Sequence, residues 1–182
     1  YFPGSQSHPI KYEKVFHQVR DPLKTISSFS KYCGHSQLWK MASSITLGLL
    51  PYWNVDRKKS TRYSNNYKSC TRLMMYHWLS WNEFLSNYAD WSYRIENTTA
   101  HAVCIRAFQS QPDILNKCNA SSILGDIGEV SVRKNSKQYT GRVNLKPSHL
   151  YDLDCKLAQK IFNRAISYGY SEYNGVSRDC SK

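Results

Sequence analysis

The sequence predicts one helix-rich α/β domain built on a parallel sheet. Three stretches carry that expectation. VFHQV, residues 15–19, reads as a short strand and gives way at Arg20-Asp21-Pro22 to helical spacing. A long run from about Asn66 to Tyr88 repeats apolar residues at threes and fours, and ends just before the strand-like alternation WSYRIE, residues 91–96. A last helical run spans Asp152 to Tyr168. Parallel strands cannot be joined by a tight hairpin, so short strands separated by helix-length segments are the pattern such a sheet requires.

Each element has a local reason. Residues 1–9 contain Pro3, Gly4 and Pro9 and read as an irregular lead-in. Val15, His17 and Val19 share one strand face, with Phe16 on the other. Pro22 suits the first helical turn, where its missing amide costs nothing, and Asp21 is the matching N-cap. Leu23, Ile26 and Phe29 or Ser30 continue the spacing, and Cys33-Gly34 marks the stop. A second helix is expected from about Ser36 to Leu49, then a basic loop over 51–66. The helix from Asn66 presents Tyr67, Cys70, Met74, His77, Trp78, Trp81, Leu85 and Tyr88 as one broad face, read as core. Thr98 or Thr99 caps a short helix through Phe108, and Pro112 opens another piece ending near Cys118. Residues 119–149 read as a long loop of the functional or mobile kind. Leu153, Leu157, Ile161, Ala165 and Tyr168 give the last helix its apolar face, with Gly169 as its stop.

With 182 residues, the chain has room for one ordinary domain. Its 41% hydrophobic and 14% aromatic content argue for a folded globular core. No apolar run is long enough to span a membrane. The formal charge of +12 favours an anionic partner: a nucleotide, a sulfated or phosphorylated polymer, or an acidic protein surface. The basic residues are scattered, densest around Arg57-Lys58-Lys59, with no arginine-rich arm or RNA-binding signature, which argues against nucleic acid. Six cysteines without any CxxC pair give no metal site, and fit either three disulfides or buried thiols. Asn97-Thr98-Thr99 and Asn119-Ala120-Ser121 are glycosylation triplets, so Asn97 and Asn119 are candidate acceptors in a lumen. Cysteines and triplets together tilt the expected compartment toward the Golgi or another secretory lumen.

The chemistry concentrates at FHQVRDPLKTISSF, residues 16–29. In an open α/β sheet, ligands gather where strands end and helices begin. A helix N-terminus there offers free amides to an anion, and the planar fork of Arg20 can hold a phosphate through two bonds. Ser27 and Ser28 lie two turns along. The same residues also fit a plainer arrangement, with Asp21 a cap, Arg20 a surface ion-pair partner and the serines facing solvent. His17 lies near Arg20, but its alternation with Val15 and Val19 places it in the core. No catalytic residue is assigned.

The segment resembles the 3′-phosphate-binding motif of the sulfotransferase family. There a strand ends in Arg, followed by Asp, Asn or His, then Pro, with Ser eight positions after the Arg; here these are Arg20, Asp21, Pro22 and Ser28. HWLSWNEFLSNYADWSYRIENTT is similar to the family stretch in which a Trp-rich helix leads to a Tyr-Arg-hydrophobic-Glu strand, here Tyr93, Arg94, Ile95 and Glu96. Asn135-Ser136-Lys137 looks like the family's polar loop near the nucleotide, and Gly169-Tyr170 like the end of its terminal helix. The resemblance covers about residues 16–170.

It implies a three-layer P-loop nucleotide-binding-type domain, with the carboxy-terminal part of a parallel sheet flanked by helices. It also implies sulfuryl transfer from 3′-phosphoadenosine 5′-phosphosulfate to a hydroxyl or amine of a carbohydrate or protein acceptor, without a metal. Arg20 and Ser28 would hold the 3′-phosphate, and Asn135, Ser136 and Lys137 would help close over the nucleotide. One departure is plain: nothing before Arg20 resembles the family's 5′-phosphosulfate loop. The expectation is therefore a single domain over 1–182, incomplete at its amino terminus. The alternative is a non-catalytic docking subunit of a larger assembly, held by partner subunits.

Overall fold

The computed structural model describes residues 14–30, 67–118 and 144–181. The helix expected over 36–49, the basic loop 51–66, Asn119 and the Asn135-Ser136-Lys137 loop lie outside the described residues.

The described residues form a helix-rich α/β arrangement around a small parallel sheet. Strand β1, Phe16–Val19, leads directly into helix α1, Pro22–Ser30. Helix α2, Tyr67–Ser86, then precedes strand β2, Trp91–Arg94. The strands pair in parallel, Phe16 against Trp91 through Val19 against Arg94. The described parts of the connection between them are the helices α1 and α2, and a crossover of this length is what parallel pairing demands. Both strands end on the same side, which places Arg20 and the residues after Arg94 along one edge.

β1 alternates as its sequence predicts. His17 and Val19 are fully buried, whereas Phe16 is half-buried and Gln18 exposed on the opposite face. There Phe16 meets Trp91 edge-on at 5.8 Å, and Trp91 stacks with Tyr93 at 4.9 Å.

Helices cover the inner face. α1 packs on α2 through Ile26, and α2 buries Leu73, Met74, Met75, Trp78 and Leu79. The α2 stripe differs from the expected one. Trp81 is 40% and Tyr88 61% exposed, while Thr71, Ser80 and Asn82 are buried. Hydrophobicity placed the stripe around the largest rings. The packing instead rotates the helix so that small and polar side chains enter where partners are supplied.

Helix α3, Ala100–Phe108, is capped by Thr99, whose hydroxyl accepts from the Ala102 amide at 3.2 Å. Short helix α4, Pro112–Leu115, and the 3-10 turn Asn116–Cys118 follow, tied back by the Cys104–Cys118 disulfide. In place of one helix over 152–168 there are two, α5, Pro147–Leu153, which begins inside the stretch read as loop, and α6, Cys155–Ser167. Extended backbone at Asp154 (φ −160°, ψ 98°) interrupts them. Its carboxylate caps α6 at the Leu157 amide (3.1 Å) and binds the Arg72 guanidinium (2.9 Å). α6 contributes Leu157, Ala158, Ile161, Phe162 and Ala165 to the core. Gly169 ends it with φ 88°, a value open to glycine at little cost. The tail returns through the 3-10 turn Ser171–Tyr173 and a Cys155–Cys180 disulfide. Cys70 is disulfide-bonded as well.

Candidate functional site

The candidate site is the strand-to-helix junction after β1. Its local geometry follows from three residue types. Pro22 opens α1 without needing a hydrogen bond. The Asp21 carboxylate accepts from the Lys24 amide at 2.7 Å, the cap expected from sequence. The Asp21 carbonyl accepts from the Thr25 amide and hydroxyl at 3.0 and 2.8 Å.

The junction is then pinned from three distant elements. The Trp78 indole N–H of α2 donates to the Arg20 carbonyl at 3.0 Å. Glu96, just past β2, accepts from the Asp21 amide at 3.0 Å. The Tyr173 hydroxyl donates to the other Asp21 carboxylate oxygen at 2.6 Å, and the Tyr170 hydroxyl to the second Glu96 oxygen at 2.8 Å. Arg94 crosses the Tyr170 ring at 5.0 Å and donates to the Gly169 carbonyl at 2.6 Å. The carbonyl and the amide of the Arg20–Asp21 peptide group are therefore both fixed by side chains.

What is left outward is cationic. Arg20 is exposed, and its guanidinium has no hydrogen bond, ion pair or ring contact among the described residues. Ser28 is half-buried and its hydroxyl is likewise without a partner among the described residues. Lys24 and Ser28 are one turn apart on the outward stripe of α1, and Ser28 lies roughly 9 Å along the axis from Pro22. The ion-pair alternative for Arg20 thus finds no acidic partner among the described residues, whereas the capping role of Asp21 is met.

The acidic groups behind the junction are engaged. Burial works to raise the Glu96 carboxyl. The Asp21 amide, the Tyr170 hydroxyl and the nearby Lys24 charge outweigh it and hold the group below its ordinary value of 4.5. Burial, and then the bonds to Glu96 and Asp21, push the phenols of Tyr170 and Tyr173 far above the usual range. Both tyrosines stay neutral donors.

His17 is not at the site. It is 0% exposed, with Nε2 2.9 Å from the Asn82 side-chain oxygen and Nδ1 3.1 Å from the Ser92 hydroxyl. Burial lowers its pKa from 6.5; the bond to Asn82 opposes this, and Arg164 adds to it. Both ring nitrogens are occupied, so it is a satisfied core histidine, as its alternation implied. Among the described residues no cluster of three or more His, Cys, Asp or Glu side chains could hold a metal ion. No described helix is long and apolar enough to cross a membrane.

Arg20, Asp21 and Ser28 are legible in the sequence, whereas nothing in it singles out Tyr173. The pairing of Trp78 with the Arg20 carbonyl was equally hidden, because a Trp on an apolar stripe reads as core. The available signal was the recurrence of buried-type tyrosines, Tyr170 and Tyr173, beside a helix stop. No protein-family model, curated protein or solved structure is similar enough to the chain to count as a match.

Proposed function

We propose that the chain is a sulfotransferase-like nucleotide-binding domain whose Arg20 and Ser28 hold the 3′-phosphate of 3′-phosphoadenosine 5′-phosphosulfate. One observation carries this reading. The three described stretches that resemble the family, Arg20-Asp21-Pro22, Tyr93 to Glu96 and Gly169-Tyr170, are far apart in sequence yet meet through direct hydrogen bonds at one strand end. A peptide frame presenting an unpaired guanidinium at the carboxyl end of a parallel strand suits phosphate recognition.

The residues fit the 3′-phosphate half of the nucleotide. Arg20 supplies a fork for two phosphate oxygens, Ser28 a neutral donor, and the first turn of α1 a favourable dipole. The Tyr93 to Glu96 segment and Trp78 act as scaffold behind it. The outward aromatic face of the strand pair, Phe16, Trp91 and Tyr93, suits a sheet that belongs to a larger three-layer domain, since parallel sheets are usually covered on both faces. When bound, the donor would supply an activated sulfuryl group for transfer to a hydroxyl or amine of a carbohydrate or protein acceptor. No residue of this chain is assigned to the proton transfer. The disulfides Cys104–Cys118 and Cys155–Cys180 accord with an oxidising, secretory compartment.

A second reading has its own observation. Trp81 stands outward on α2 and Tyr88 outward just past its end, with the Phe84 ring between them, stacked on Trp81 at 6.3 Å and tilted against Tyr88 at 5.0 Å. Aromatic side chains of this kind anchor protein interfaces, so the domain would instead dock non-catalytically on partner subunits. Titration with adenosine 3′,5′-bisphosphate separates the two. Binding supports the nucleotide reading, and a folded chain that ignores the ligand removes it.

A further inference from the structure

We propose that Asn97 is an N-glycan acceptor when this chain matures in a secretory lumen. The triplet Asn97-Thr98-Thr99 has the required threonine and no proline between. A triplet is only a motif, and two independent structural observations turn it into a site.

The first is accessibility. Asn97 closes the turn 95–97 that leaves β2, and it is exposed. Its neighbours Glu96, Thr99, Ala100, His101 and Ala102 are exposed too, and α3 buries none of its residues. A bulky, hydrated group at Asn97 therefore displaces no core contact. The second is compartment. Every described cysteine is disulfide-bonded, including the Cys104–Cys118 bridge that holds α3 to the turn after α4. Disulfides of this kind form in oxidising lumens, where the glycosylation machinery also works.

The fold also tolerates the product. The amide of Asn97 is satisfied when its oxygen accepts from Arg94 and its Nδ2 donates to the Glu96 carbonyl at 3.2 Å. A glycosylated Nδ2 keeps one N–H and can still make that bond. The Thr99 hydroxyl caps α3 in either case. In the reaction, Nδ2 forms a bond to the anomeric carbon of a lipid-diphosphate-linked oligosaccharide. The bond from that carbon to the diphosphate oxygen breaks, the amide releases one proton, and the lipid diphosphate leaves with the bonding electron pair.

The test is secretion of the 182-residue chain from animal cells behind a cleavable signal, followed by peptide:N-glycosidase treatment. Asn119→Gln should retain a glycosidase-sensitive mobility shift, and the double variant Asn97→Gln/Asn119→Gln should lose it. Should a variant fail to fold and be retained, the secreted wild type decides by mass spectrometry. Glycosidase-dependent conversion of Asn97 to aspartate supports the proposal. An unmodified Asn97 in secreted wild type, or Asn119→Gln with no sensitive shift, overturns it.

Discussion

Asp21 is only 6% exposed, and its carboxyl group sits beneath the candidate site. Two donors compensate its burial, the Lys24 amide and the Tyr173 hydroxyl. Tyr173→Phe removes the second without changing shape. Leaving a buried acceptor short of one donor costs about 1–3 kcal/mol, so urea unfolding of this variant should show a loss in that range. The buried His17 gives a separate, pH-dependent outcome. Its folded pKa lies below the 6.5 of the unfolded chain, so acidification protonates the unfolded state first. The stability carried by neutral His17 is full above the unfolded value and falls as pH drops through it. The urea midpoint should therefore decline on the acid side of the range between about pH 5 and 8, and His17→Gln should flatten that decline. A midpoint with the same acid slope in both proteins would place the titration elsewhere.

At the scale of elements, Gly169 is the clearest test. It holds φ 88° where α6 turns toward Tyr170, and no atom lies within 4 Å of where a Cβ would stand. Gly169→Ala thus meets backbone strain alone and should cost about 1–2 kcal/mol in thermal or urea unfolding. That stop was legible because a glycine after a periodic run has one common meaning. The junction β1–α1 was legible for the same reason: Asp-Pro after an apolar alternation encodes cap and first turn together. The break at Asp154 was not. Leu153 and Leu157 keep helical spacing across it, and only the Arg72 partner and the cap to Leu157 reveal that Asp154 starts a new helix. Likewise, periodicity alone could not tell that α2 would turn Asn82 inward and Trp81 outward, because the buried partner of Asn82 is His17, 65 residues away.

For the molecule as a whole, one covalent link packed against the core matters. The Cys155–Cys180 bridge closes a span of 25 residues around α6 and the tail that carries Tyr170 and Tyr173. Loop-closure entropy assigns such a bridge about 3 kcal/mol, so the double variant Cys155→Ser/Cys180→Ser should unfold at correspondingly lower urea. If the tail braces the Arg20 frame, nucleotide affinity should fall with it. The sheet edge was the part of the site that sequence exposed, through Arg20 and Ser28. The frame behind it was hidden, because its bonds link β1, α2, the end of β2 and the tail across 58 to 152 residues. The chain's +12 charge attracts anions in general, and the Arg20 variant isolates the specific contact from that background. Calorimetric titration with adenosine 3′,5′-bisphosphate, wild type against Arg20→Ala, tests the central claim most directly. Loss of one charged, two-pronged contact should weaken affinity at least about tenfold while the fold is retained. Equal affinity in the two proteins, or no binding by the folded wild type, would contradict the account.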